Sequence, residues 1–217
     1  VYKKFKRIIT SILRSRNLAI KSYSEELFTS SQLETYTYFS EFFSNIKDVQ
    51  GDVIEVGFGK GNSFLCLLTL ANRSNRQLIG FDSFQGFPEA TGYDKSNRNP
   101  QKGDWNFRTL EEATNQVENF NKLFKGKWSL VKGFLEESLP NYTQSNSVAL
   151  LHIDVDLYSG HKAALEKFFP LLSKGGLVVF DDYGEESWPG ATRAVDEYFI
   201  NTKWIVQKNN YKYFVKK

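Results

Sequence analysis

Two groups of residues in this 217-residue chain have types and spacing suited to chemistry. The first is VIEVGFGKGNS at 53–63, where Gly57, Gly59 and Gly61 follow apolar β-formers and precede the helical run NSFLCLLTLA. Glycines at such a turn let backbone approach a ligand, while the helix N-terminus presents free N–H groups. A dinucleotide fingerprint would set its third glycine at 62, where Asn62 stands, which disfavours hydride transfer on a nicotinamide. Glu55, two residues before the first glycine, is placed to meet a cationic ligand. Asp82, at the end of the next apolar run, is placed to take both hydroxyls of a ribose. Together they describe a positively charged nucleoside cofactor without a phosphate chain, a description S-adenosylmethionine meets. The competing structural account is a tight turn with Glu55 and Asp82 as helix caps.

The second group is LLHIDVDLYSG and GLVVFDDYG, which put Asp154 and Asp156 at one strand end and Asp181 and Asp182 at the next. Unpaired carboxylates brought close together repel and hold protons, and a divalent cation removes the conflict. The oxygen donors Asp154, Asp181 and Asp182 suit Mg²⁺, Mn²⁺ or Ca²⁺. A hydroxyl bound to such an ion loses its proton more readily and is oriented for in-line attack on a methyl group. Asp154, Asp156 and His161 are the candidate general bases. His152, inside its strand, reads as a hydrogen-bonded core residue, and the account of Asp181-Asp182 without a metal is a capped turn.

These acids need a scaffold that delivers them to one place. DVIEVG, QLIGFD, WSLVKG, VALLHIDVDL and GLVVFDD are short apolar runs, mostly separated by helix-length segments. That alternation implies a mainly parallel, doubly wound α/β sheet whose ligands sit at the carboxyl ends of the strands. KWIVQKNNYKYFVKK reads as a hairpin around Asn209-Asn210, adding an antiparallel edge. The segment 83–107, polar and rich in Gly and Asn, is too long for a simple connection. It is either a surface loop or a cover over the site, with Phe84, Phe87, Tyr93 and Trp105 as apolar faces, and Tyr183 and Trp188 lining the same mouth.

With 41% hydrophobic and 16% aromatic residues the chain can bury one sizeable core, so a single domain is expected. We divide it as a helical extension over 1–50 packed on a catalytic domain over 51–217. A net charge of +3 gives no case for nucleic-acid binding. Phe5, Ile8, Ile9, Ile12 and Leu13 in the basic N-terminal stretch fall at helical spacing; the alternative to a membrane-surface or partner-docking helix, and the one expected, is a terminal helix packed on its own domain. No run approaches the ~20 apolar residues of a membrane span, so a cytoplasmic enzyme is expected. One cysteine, Cys66, excludes an internal disulfide, and the lack of any methionine leads us to expect a natural start upstream.

The blocks GDVIEVGFGKGNS, GFDSFQGFPE, VKGFLEESLP, LLHIDVDLYSGHKAALEKFFPLLSKGGLVVFDDYG and PGATRAVDEYF occur in order over roughly residues 51–199. In them the chain resembles the class I S-adenosylmethionine-dependent sugar O-methyltransferases typified by macrocin and mycinamicin O-methyltransferases. The resemblance implies a Rossmann-like methyltransferase fold, Mg²⁺ dependence, a sugar hydroxyl of a glycosylated metabolite or glycan as acceptor, and a homodimer. It implies Asp154, Asp181 and Asp182 as metal ligands, Asp82 on the ribose, and Glu55 to Gly61 as the cofactor loop. Ser63 and Ser83 beside these positions are expected to bind the cofactor as well, and Gly133 and Phe134 are implied to lie beside the adenine. Val155 stands where the family usually has glycine, and His161 where a small hydroxyl residue is common. Catechol-type phenolic O-methyltransferases also use carboxylates at these two strand ends, but commonly with Asp-Asn where this chain has Asp181-Asp182. A nicotinamide-dependent oxidoreductase and a non-catalytic binding module are the remaining alternatives.

Overall fold

The computed structural model describes residues 30–122, 124–143 and 147–217. The basic stretch at 1–16, with the helix expected there, lies outside them. The described chain opens with α1 (Ser30–Asn45), followed by β1 (Asp52–Val56), α2 (Asn62–Arg73) and β2 (Gln77–Asp82). After a 3₁₀ turn at Gly92–Asp94 come α3 (Leu110–Asn121), β3 (Lys127–Lys132) and α4 (Leu135–Asn141). The remainder is β4 (Val148–Ile153), α5 (Tyr158–Phe168), β5 (Leu172–Phe180), α6 (Pro189–Phe199), β6 (Gln207–Lys208) and β7 (Tyr213–Lys216).

Among the described residues these strands form one seven-stranded sheet in the order β3-β2-β1-β4-β5-β7-β6. Pairing is parallel from β3 to β5 and antiparallel for β5 with β7 and β7 with β6. The parallel part follows from the intervening helices, and the antiparallel edge from the short loop at 209–212. Successive residues of a strand point to opposite faces, so the apolar runs feed two cores at once. Val53 and Leu150 join Phe39, Phe42, Phe64 and Leu67 on the face covered by α1 and α2. Ile54, Val56, Leu151 and Ile153 join Leu165, Phe168 and Phe199 on the face covered by α5 and α6. Burying an aromatic or aliphatic side chain of this kind contributes about 1.5–3 kcal/mol, so each layer is held by many such terms.

α1 is part of this body. Tyr38, Phe39, Phe42, Phe43 and Ile46 form its buried stripe, and the Arg76 guanidinium donates to the carbonyls of Ile46 (2.8 Å), Val49 (2.6 Å) and Gly51 (2.6 Å). That arginine ties the end of α1 to the start of β1.

The ladder continues past the strand ends. Asp154 N–H donates to the Val56 carbonyl (2.9 Å) and Asp181 N–H to the Ile153 carbonyl (3.0 Å). Adjacent parallel strands therefore hand their first post-strand residues to one edge of the sheet, as the apolar runs imply. Among the described residues no helix is long and apolar enough to cross a membrane.

Candidate active site

Gly57 has φ +97°, and a Cβ there would lie 1.7 Å from the Asp154 carbonyl oxygen. Only glycine allows the β1 turn to run this close to the end of β4. Gly59 (φ +51°) and Gly61 (φ +84°) complete the left-handed turn, and Gly61 caps α2. Asp82 holds the turn in place. Its Oδ2 accepts the N–H groups of Phe58 (2.8 Å) and Gly59 (3.1 Å), and its Oδ1 accepts that of Phe84 (2.7 Å).

Next to this turn opens a cleft of about 670 Å³, part of it continuous with solvent. Gly57, Gly59, Asp82, Ser83, Gly133 and Phe134 line one part, Asp154, Val155 and Asp156 the floor, and Phe87, Trp105 and Phe107 the outer wall. The wall is built from the 83–107 segment. Phe87 and Asp104 bridge it (N···O 2.8 Å), and Trp105 packs edge-on against Trp188 at 5.3 Å. The buried Asp94 anchors it: Oδ1 accepts Tyr158 N–H (2.7 Å) and Oδ2 accepts the N–H and hydroxyl of Thr91 (2.7 and 2.6 Å). A Cβ on Gly190 would meet Asp94 Oδ1 at 1.9 Å, so α6 approaches the anchor through a glycine. The segment thus covers the cleft, with Phe87 and Trp105 as expected. Phe84 turns instead into the core with Phe58 and Phe64, and Tyr93 stacks on Tyr158 under the Arg193 guanidinium.

The carboxylates of the two strand ends share one electrostatic environment. Burial pushes Asp154 well above the usual carboxylate range, and the charges of Asp181 and Asp182 push it further. Asp156, 6% exposed and in a left-handed conformation (φ +60°), is raised to about 10 by burial and by Asp182. Asp182 is raised to about 7 by burial and by Asp181. Asp181 goes the other way. Burial opposes its charge, but His152 and Lys212 outweigh that and hold it below its ordinary range. Lys212 Nζ sits 2.6 Å from Asp181 Oδ1.

His152 is hydrogen-bonded in the core, as expected, with Nδ1 3.0 Å from Glu55 Oε1 and both side chains fully buried. Among the described residues its Nε2 has no partner at hydrogen-bonding distance, and it stands 3.9 Å from Asp181 Oδ1. Burial disfavours its charged form, yet Asp181 and Glu55 raise it to about 10. Among the described residues, His152, Asp154 and Asp181 form a group in which one ligand atom from each lies within 4.8 Å of the others. Two oxygens and one imidazole nitrogen at that separation fit a divalent cation.

The structure corrects several expectations. Glu55 does not reach the cleft: it is wholly buried, paired with its register partner His152, with Ser63 beside it. Ser63 and Gly61 are not among the residues that line the cleft. Asp182 is not in the group His152, Asp154 and Asp181; its Oδ2 accepts Asp156 N–H (2.9 Å) and stands 3.7 Å from His161 Nε2. His161 is fully buried, its Nδ1–H donating to the Leu157 carbonyl (3.1 Å). Burial lowers it to about 4, its Nε2 has no hydrogen-bond partner among the described residues, and the side chain does not line the cleft. Lys212 was not foreseen. Its signal is the hairpin register: Phe180 pairs with Tyr213, which sets Asp181 opposite Lys212.

Residues 39–208 match the family model described as macrocin O-methyltransferase (TylF). The chain is 29% identical over 142 residues to the 8-demethyl-8-(2,3-dimethoxy-alpha-L-rhamnosyl)-tetracenomycin-C 4'-O-methyltransferase of Streptomyces olivaceus, covering 62% of this chain and 54% of that protein. It is 28% identical over 162 residues to the mycinamicin III 3''-O-methyltransferase of Micromonospora griseorubida, covering 69% of this chain and 61% of that protein. The chain thus spans somewhat more than half the length of these curated relatives. Among solved structures, the calicheamicin methyltransferase CalS11 superposes with TM-score 0.78 at 21% identity, over 99% of this chain and 91% of that one. The O-methyltransferase NovP does so with TM-score 0.69 at 23% identity, over 84% and 78%. These likenesses give the class I methyltransferase fold that the strand order displays. With the family model matched from α1 to β6, the chain belongs to the macrocin O-methyltransferase family.

Proposed function

We propose that this protein transfers a methyl group from S-adenosylmethionine to a hydroxyl of a sugar-bearing acceptor, with a divalent cation in the site. One observation carries the reading: a single cleft brings the glycine turn, Asp82 and Gly133-Phe134 together with the strand-end acids Asp154 and Asp156. The curated relatives are named for O-methylation, one of them on a rhamnosyl-bearing compound, which supports a sugar as the acceptor. The catalytic unit is the sheet and its helices from residue 51 onward, with α1 packed on it. A reaction that draws on S-adenosylmethionine fits a cytoplasmic enzyme.

When bound, S-adenosylmethionine supplies an electrophilic methyl on a sulfonium centre. Gly57 and Gly59 leave room for the donor against bare backbone, and Asp82 fixes that backbone while Oδ1, which accepts one N–H, keeps a lone pair for a ribose hydroxyl. Ser83, Gly133 and Phe134 form the side of the cleft assigned to the adenosyl moiety. Asp154, Asp181 and His152 Nε2 would hold the cation, with Glu55 fixing the imidazole from behind. When bound, such an ion lowers the pKa of an acceptor hydroxyl. Asp156 lines the cleft beside Asp154, and in its ionised form, which a nearby cation favours, it takes the proton from the acceptor hydroxyl. Trp105, Phe107 and Phe87 exclude water and offer faces on which a sugar ring stacks.

The test is to incubate the protein with S-adenosylmethionine, Mg²⁺ or Mn²⁺ and a panel of glycosides and activated sugars, and to follow mass gain by one methylene. Turnover confined to sugar hydroxyls supports the reading. Methylation of catechols alone would replace the proposed acceptor, and failure of S-adenosylmethionine to bind in calorimetry would remove the donor.

A further inference from the structure

Lys212 has no part in the reaction as set out above, yet it occupies the carboxylate cluster on which that reaction depends. Its ammonium lies 2.6 Å from Asp181 Oδ1. The same oxygen faces the unpartnered His152 Nε2 at 3.9 Å. We propose that Lys212 is a built-in counter-ion, which a divalent cation must displace from Asp181, and that it thereby sets how tightly the cluster takes metal. The inference rests on the metal reading above and goes one step beyond it.

The backbone positions Lys212 for this part. It stands opposite Asp181 across the β5–β7 ladder, one residue past the Phe180–Tyr213 pair. The turn that precedes it is fixed by Asn209, whose side-chain oxygen accepts the N–H groups of Tyr211 (2.9 Å) and Lys212 (2.8 Å). The Tyr38 ring lies beneath the ammonium, its centroid 5.7 Å from Nζ. The anchor is therefore rigid while the four-carbon stem is not, and the side chain, 24% exposed, has a way out to solvent. A divalent ion and an ammonium on one carboxylate oxygen repel strongly where water is scarce, so occupancy by one excludes the other. With Lys212 in place, Asp181 keeps its negative charge without an ion, and the strand end stays ordered in either state.

The experiment uses Mn²⁺ alone, titrated into the purified protein and followed by the electron paramagnetic resonance of the free ion. Lys212→Met, which keeps the stem and removes the charge, is expected to lower the Mn²⁺ Kd by roughly tenfold or more. Lys212→Arg, which keeps the charge, is expected to stay close to the unsubstituted protein. Equal Mn²⁺ affinity in Lys212→Met and the unsubstituted protein would overturn the counter-ion role while leaving the metal reading in place. No Mn²⁺ binding in any of the proteins would overturn both.

A second measurement needs no substitution and guards against a variant that does not fold. Acetylation of lysines by a water-soluble reagent, mapped by mass spectrometry, is expected to proceed several-fold faster at Lys212 when Mn²⁺ saturates the protein. Unchanged labelling of Lys212 under saturating Mn²⁺ would count against displacement.

Discussion

Glu55 and His152 face each other across the β1–β4 ladder, Oε1 to Nδ1 3.0 Å, with neither side chain exposed to solvent. The pair joins the first strand to the strand that carries Asp154, and Phe39 of α1 closes over it edge-on at 4.9 Å. Removing one partner strands the other in a place with no water. Glu55→Ala is therefore expected to destabilise the fold by about 3–5 kcal/mol, and Glu55→Gln, which keeps a hydrogen-bond acceptor, by about 1–3 kcal/mol. Urea denaturation monitored by tryptophan fluorescence measures both, and a loss below ~1 kcal/mol in Glu55→Ala would contradict the pairing.

Gly57→Ala should be worse for the cleft than for most of the sheet. The added Cβ would collide with the Asp154 carbonyl at 1.7 Å and sit at an unfavourable φ of +97°. We expect a melting temperature lower by several degrees and at least tenfold weaker S-adenosylmethionine binding in calorimetry, since strand β1 must shift away from β4. Retention of full donor affinity would mean that the turn can relax without opening the cleft.

Asp156→Asn separates proton removal from binding. The amide keeps the size of the side chain but cannot take a proton. Turnover at saturating donor should fall about 10²–10⁴-fold, with the S-adenosylmethionine Kd changed less than threefold. A variant with near-normal turnover would shift the base elsewhere, first to Asp154, which also lines the cleft.

Asp94→Ala releases the wall of the cleft from α5 and α6. The three hydrogen bonds that Asp94 accepts from Tyr158 and Thr91 are lost. Amide hydrogen exchange over residues 86–106 should accelerate at least tenfold while the strands stay protected. The acceptor KM should rise more than kcat falls. Unaltered exchange would show that the aromatic contacts alone hold the segment.

Cys66 offers a pH test. Burial, and then the nearby Glu55, raises its thiol to about 11, against about 8.5 for a free cysteine. Any stability it contributes is complete below about pH 8.5, where the thiol is neutral in both states, and declines as the pH rises toward 11. At pH ~8 iodoacetamide should alkylate the native protein roughly 100-fold more slowly than the urea-unfolded chain. Comparable rates would place the thiol at the surface.

The strands and the acids that end them were readable from sequence because both rest on local pattern. VIEV, LIGF, LVVF and LLHI carry their own period, and an acid after such a run marks the strand end wherever the chain goes next. What escaped depends on pairings between distant segments. Glu55 reads as a ligand contact until register sets it beside His152, and Lys212 is one lysine among many until β7 lies against β5. His161 had a local signal that the apparent active-site context obscured. With Ala164, Leu165 and Phe168 it forms a buried stripe at helical spacing, which assigns it to the core.

The two sides of the cleft are free to change to very different degrees. The floor is cinched by main chain, Gly57 against Asp154, and tolerates no new atoms there. The outer wall is a long detour in the chain, fastened chiefly through Asp94 and faced with partly exposed Trp105 and Phe107. Grafting another such detour onto the same floor, with its aspartate anchor retained, is the economical way to retarget this scaffold to a different acceptor.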